Sequence, residues 1–167
     1  RSDGDRLHKL PMKSMQHSIS DRIDSLDETL FDGVPSQTSP GDRRSLLAIQ
    51  RAVAREFGHY HYLEIGSYLG GSLQPHLLDA RCTGIDSIDL RPDLSPDDRS
   101  EGCQVSYGED SEMRMIQQLN NLLGADLTML SCHRCDARDI DPQTLLPPQI
   151  AFIDGEHTRA AVLSDFE

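Results

Sequence analysis

The stretch Leu63-Glu64-Ile65-Gly66-Ser67-Tyr68-Leu69-Gly70-Gly71-Ser72 decides how the rest of the chain is read. It closes an apolar run that begins at Tyr60 and leads into a segment with helical spacing. A strand passing through a glycine-rich turn into a helix is the ligand-binding unit of open α/β sheets. The turn lies at the carboxyl end of the strand, and the helix end presents free N–H groups. Three ligand classes compete for such a turn. A phosphate-binding loop needs a lysine before its Ser or Thr. Gly66 and Gly71 have that spacing, but Ser72 follows Gly71 directly, and the only lysines in the chain are Lys9 and Lys13. A dinucleotide fingerprint needs a glycine two residues after the first, so that backbone can approach a pyrophosphate. Tyr68 stands there, and its side chain obstructs the approach. The remaining class is a nucleoside without a pyrophosphate, for which E-x-G-x-x-x-G is the expected form and Glu64 would suit a cationic ligand end. The plain alternative is an ordinary tight turn.

Outward from this turn, strands and helices alternate. Tyr60–Ile65 reads as the first strand and 72–80 as the helix after it. Cys82–Ile88 is the second strand, 91–108 a long loop, and a helix begins at Glu109, Asp110 and Glu112, with Met115, Ile116, Leu119, Leu122 and Leu123 facing inward. Leu127–Ser131 and Gln149–Ile153 read as third and fourth strands, and 160–166 as a closing helix. Such alternation implies an open parallel α/β sheet. Upstream, residues 1–18 read as a loose arm, and Ser20 as the cap of a short helix over 21–31. Asp42 reads as the cap of a stronger helix to Phe57, with Leu46, Ile49, Val53 and Phe57 on its apolar face. This gives an N-terminal arm with a short helix, 1–41, and a ligand-binding domain, 42–167.

The chain has 167 residues, the size of one domain. Sixteen Lys and Arg against 28 Asp and Glu give a net charge of −12. The first 58 residues are balanced, nine basic against nine acidic, so the whole excess falls on residues 59–167. That field repels nucleic acid and anionic membranes and suits a cationic small molecule. No apolar run approaches the roughly 20 residues of a membrane span, and no signal peptide is legible. With four cysteines and no disulfide scaffold, a cytoplasmic location is expected. The chain reads as a piece of something longer.

Two further segments sharpen the reading. Thr83-Gly84-Ile85-Asp86-Ser87-Ile88-Asp89 ends the second strand with acids, about where a carboxylate can grip ribose hydroxyls. Ala151-Phe152-Ile153-Asp154-Gly155-Glu156-His157 ends the fourth strand, and Asp165 follows in the next helix. Over residues 42–167 the set resembles the class I S-adenosylmethionine-dependent methyltransferases. The F-I-D-G-x-H segment resembles the branch with macrocin-type O-methyltransferases and cephalosporin hydroxylase-like proteins. The resemblance implies a Rossmann-like open parallel sheet, here stopping after the fourth strand where the family has seven. It implies that Glu64, Gly66 and Ser67 line the methionine end of the cofactor, with Gly70 and Ser72 nearby. It gives the ribose to Asp86, with Asp89 second, and the adenine to Asp136 and Ala137. It sets Asp154 beside the transferred methyl, as a Mg²⁺ ligand in metal-dependent relatives, with His157 as base or acceptor-orienting group.

The bland roles are a helix cap for Asp154, a surface position for His157 and a strand terminus for Asp86. Asp139 and Asp141 compete with Asp136. Cys132-His133-Arg134-Cys135 offers soft ligands to zinc, but no second ligand pair exists, and the reading preferred is idle thiols. His59, Tyr60, His61 and Tyr62 are expected only to pack or face solvent. The expected function is methyl transfer to a hydroxyl of a sugar or small hydroxylated metabolite, by a chain that could be a homo-oligomer. The alternative is a non-catalytic nucleotide-binding or assembly domain, and an oxidoreductase like the hydroxylases ranks third.

Overall fold

The computed structural model describes residues 18–99, 102, 104–109, 111–122 and 124–165, with side chains to Leu163. The expected arm, apart from Ser18, lies outside them, as do Asp110, Leu123 and the side chain of Asp165. Ser18, not Ser20, caps α1 (Ile19–Asp24), and Asp21 completes a capping box. The helix expected over 21–31 breaks at Leu26, whose φ of 58° is left-handed, and a 3-10 turn follows over Glu28–Phe31. In α2 (Pro40–Phe57) the cap is Ser39, and Asp42 returns the bond from the third position. Its buried stripe is Leu46, Leu47, Gln50 and Ala54, whereas Ile49 is 49% and Phe57 61% exposed. Gln50 explains the rotation of that stripe. Its amide nitrogen donates to Tyr60 Oη (2.8 Å) and Asp79 Oδ2 (3.1 Å), and these bonds hold a polar residue in the core-facing position.

The next elements follow the expected alternation. β1 (Tyr60–Ile65) leads through the glycine turn to α3 (Gln74–Leu78), and β2 (Cys82–Ile88) follows. The segment read as a loop contains a small antiparallel hairpin, β3 (Leu94–Pro96) and β4 (Gln104–Ser106). Then come α4 (Ser111–Asn120), β5 (Leu130–His133), β6 (Ile150–Ile153) and α5 (Arg159–Asp165). The third strand starts later than expected because Leu127–Met129 forms a 3-10 turn capped by Asp126.

The four main strands are parallel, in the order β5-β2-β1-β6. Counted along the chain this is 3-2-1-4, the order at the heart of the doubly wound fold, and its switch point falls between β1 and β6. Tyr60, Tyr62, Ile85 and Ile150 form one face of the core with Leu73 and Leu77 and with Met115 and Leu119 of α4. His76 of α3 stacks on Tyr62 at 3.7 Å, and full burial depresses its pKa to about 3, so it packs as a neutral ring. The N-terminal segment joins this body through Gln74, which is fully buried. Its Nε2 donates to Phe31 O (2.8 Å) and Val34 O (2.9 Å), and its Oε1 accepts from Val34 N (2.7 Å). Among the described residues no helix is long and apolar enough to cross a membrane.

Candidate functional site

A cavity of about 260 Å³ opens at the carboxyl edge of the sheet, beside the switch point. The glycine turn forms its floor. Gly66 (φ 89°) donates to Ile88 O (2.9 Å), and Asp154 N donates to Ile65 O (2.9 Å), so β1 is held on both sides at its end. A Cβ at Gly66 would collide with the Asp154 carbonyl and Gly155 Cα. The glycine is therefore there to let β1 and β6 approach each other, and not only to admit a ligand. Ser67 and Ser72 line the cavity, whereas Gly70 (φ 78°) faces Met115 and Leu119.

Two further expected ligand contacts lie elsewhere. Glu64 is buried beneath the turn, 1% exposed, and is not on the cavity wall. Its carboxyl accepts from Tyr62 Oη (2.6 Å) and Ser72 Oγ (2.5 Å). Burial pushes it up to about 7 against the pull of those two bonds. Asp86 also misses the cavity. It sits inside β2, buried, with Oδ2 2.8 Å from His61 Nε2 and Oδ1 2.7 Å from His133 Nε2. Asp86 is absent from the cavity wall, whereas Asp89, the second candidate for the ribose and the first residue beyond the strand, lines it. His61, buried, and His133, partly exposed, thus share the Asp86 carboxylate. Cys132 packs against the core, where burial raises its thiol pKa.

The far wall comes from the ends of β5 and β6. Asp136 and Ala137 line it, and Arg138, bonded to the Asp136 carboxylate, holds that group down at about 2. Asp154 and His157 line the wall nearest the switch point, with His157 Nε2 3.7 Å from Asp154 Oδ1. Asp154 does not cap α5: Ala161 N is met by Thr158 Oγ1 (3.1 Å) and Arg159 N by Asp98 Oδ2 (3.1 Å). Burial raises its pKa, while His157 and Arg99 pull it back.

Three contributors to the wall were not among the expected ligand contacts. Tyr68 and Tyr107 form an aromatic pair on the wall, with centroids 4.9 Å apart. Pro35–Thr38 closes one side, seated where a side chain on Gly71 would strike Ser36. The buried Arg91 reaches the cavity from below. Apart from Tyr68, none lies in a motif; the hairpin and the N-terminal loop reach the site only through long-range packing.

Scans of family models and of curated proteins find no match to this chain. One similar solved structure is a cyclopropane-fatty-acyl-phospholipid synthase-like protein from Lactobacillus casei ATCC 334. It has a TM-score of 0.36 at 19% identity, over 80% of this chain and 46% of that one. The chain thus spans less than half the length of that protein, and a likeness this slight decides nothing about chemistry.

Proposed function

We propose that this chain is the S-adenosylmethionine-binding part of a methyltransferase acting on a hydroxyl of a sugar or small hydroxylated metabolite. One observation supports it above the others: the switch-point cavity gathers the glycine turn, Asp89, Asp136–Ala137 and Asp154 on one rim. This donor set fits a cationic nucleoside. Three carboxylates suit a sulfonium or ammonium charge and a ribose diol, and they oppose a pyrophosphate. The two arginines on the wall are engaged with acids, Arg91 beside Asp89 and Glu112 and Arg138 with Asp136. The described residues hold no group of three His, Cys, Asp or Glu able to bind a metal, so no step is drawn through Mg²⁺.

When bound, S-adenosylmethionine would supply a methyl group on a positively charged sulfur. The chain's own tasks are then to orient and to take a proton. Asp89 would hold the ribose hydroxyls, and the Asp136–Ala137 segment would border the base. A hydroxyl is a weak nucleophile at neutral pH and gains from a carboxylate within reach. Asp154 is suited to that part, because burial raises its proton affinity above that of an ordinary aspartate while His157 keeps the anion within reach. The test is transfer of labelled methyl from S-adenosylmethionine to a panel of sugars and small alcohols, with Asp154→Asn alongside. Transfer by the wild type and its loss in the variant are expected. Tight binding of S-adenosylhomocysteine with no transfer to any acceptor would favour a non-catalytic nucleotide-binding module instead.

A further inference from the structure

Arg91 is an odd residue to find where it is. Its side chain is only 2% exposed, and its backbone has a φ of 55°, which non-glycine residues adopt at a cost. Tyr68, on the glycine turn, is a second non-glycine residue at positive φ, 43°. One set of contacts holds both. Asp89 Oδ2 accepts from Tyr68 N (2.9 Å), and Asp89 Oδ1 accepts from Arg91 N (2.9 Å). The Arg91 guanidinium returns across the same gap. Its Nη1 donates to Tyr68 O (2.7 Å) and lies 3.9 Å from Asp89 Oδ2. Its Nη2 donates to Ser87 Oγ (3.3 Å), whose hydroxyl donates to Ser67 Oγ (2.8 Å) on the cavity wall. Glu112 of α4 lies 3.9 Å from its Nε. Both the N–H and the C=O of Tyr68 are therefore fixed by the Asp89–Arg91 pair, and the Asp89 carboxylate is fixed in turn.

We propose that Arg91 is a positioning residue for the ribose of the bound nucleoside, acting through Asp89 and the Tyr68 peptide. The inference rests on the nucleoside reading of the cavity given above. Arg91 itself need not touch the ligand. A planar fork of donors can span the Tyr68 carbonyl, Ser87 and Asp89 at once, which a single ammonium cannot. Backbone strain at two residues is then the cost of holding the carboxylate still where a diol would meet it.

The test is a ratio of affinities in the full chain, for adenosine against 2′,3′-dideoxyadenosine. Wild type is expected to prefer adenosine by about ten- to a hundredfold, the scale of hydrogen bonds to a charged acceptor. Asp89→Ala and Arg91→Met are both expected to bring the ratio toward one, and Arg91→Lys to an intermediate value. A merely structural arginine would weaken both nucleosides equally. An unchanged ratio in Arg91→Met therefore overturns the proposal, and if that variant does not fold, an unchanged ratio in Arg91→Lys does so. Should wild type itself fail to distinguish the two nucleosides, the ribose reading of the cavity is what fails, and this inference falls with it.

Discussion

Replacing Glu64 by Gln should flatten the pH dependence of stability. The carboxyl group is buried beneath the glycine turn and, among the described residues, accepts hydrogen bonds from Tyr62 and Ser72. It titrates near 4.5 when unhindered and is pushed up to about 7 in the fold, first of all by burial. Between those values the folded chain holds a proton that the unfolded chain has released. The group's contribution to stability is thus complete below about pH 4.5 and is lost as pH rises through about 7. At about 1.4 kcal/mol per pH unit, the gap from 4.5 to about 7 amounts to about 3 kcal/mol. Glutamine keeps the shape and has no proton to lose, and the two hydroxyls can rotate so that one accepts from its amide. Urea unfolding of both proteins from pH 5 to pH 8, at constant ionic strength, isolates the group because other titrations cancel in the comparison. Wild type should lose about 2–3 kcal/mol more than Glu64→Gln over that range. Parallel curves would refute the reasoning and mean that the carboxylate is already ionised in the fold at pH 5.

Three other outcomes are expected. Asp154→Asn should cut methyl transfer by about 10²–10⁴-fold with little change in S-adenosylhomocysteine affinity, measured on one preparation, because the amide cannot take a proton. Asp89→Ala should weaken S-adenosylhomocysteine binding by about 1–3 kcal/mol in titration calorimetry, whereas Asp86→Ala should act through stability, since its carboxylate faces two histidines and not the cavity. Gly66→Ala should lower the midpoint of thermal unfolding by several degrees, because the new methyl meets the Asp154 carbonyl at a backbone conformation that favours glycine.

The parallel sheet was legible because its four strands are short segments rich in apolar and β-branched residues that alternate with segments of helical spacing. The rim was legible in outline for the same reason: a residue just past a strand end reaches the ligand edge, whatever the neighbours do. Asp154 and Asp136 obey that rule. Asp86 does not, and the spacing already contained the correction: a strand running to Ile88 leaves Asp86 inside the sheet and Asp89 outside it. Glu64 misled in a similar way, since it lies within β1 and its buried carboxyl meets Ser72 and Tyr62. The exposed Ile49 and Phe57 of α2 show a different limit. Helical periodicity finds an apolar stripe, but Gln50 takes the inward position once its amide nitrogen has partners. The β3–β4 hairpin and the Pro35–Thr38 wall depend on contacts between residues far apart in the chain, which local pattern does not carry.

Titration calorimetry of the chain with S-adenosylmethionine, S-adenosylhomocysteine and NAD tests the central claim most directly. An acid-rimmed cavity without an uncommitted arginine on its described wall should bind the first two and reject the pyrophosphate of the third. Binding of NAD alone, or of none of the three, would contradict it.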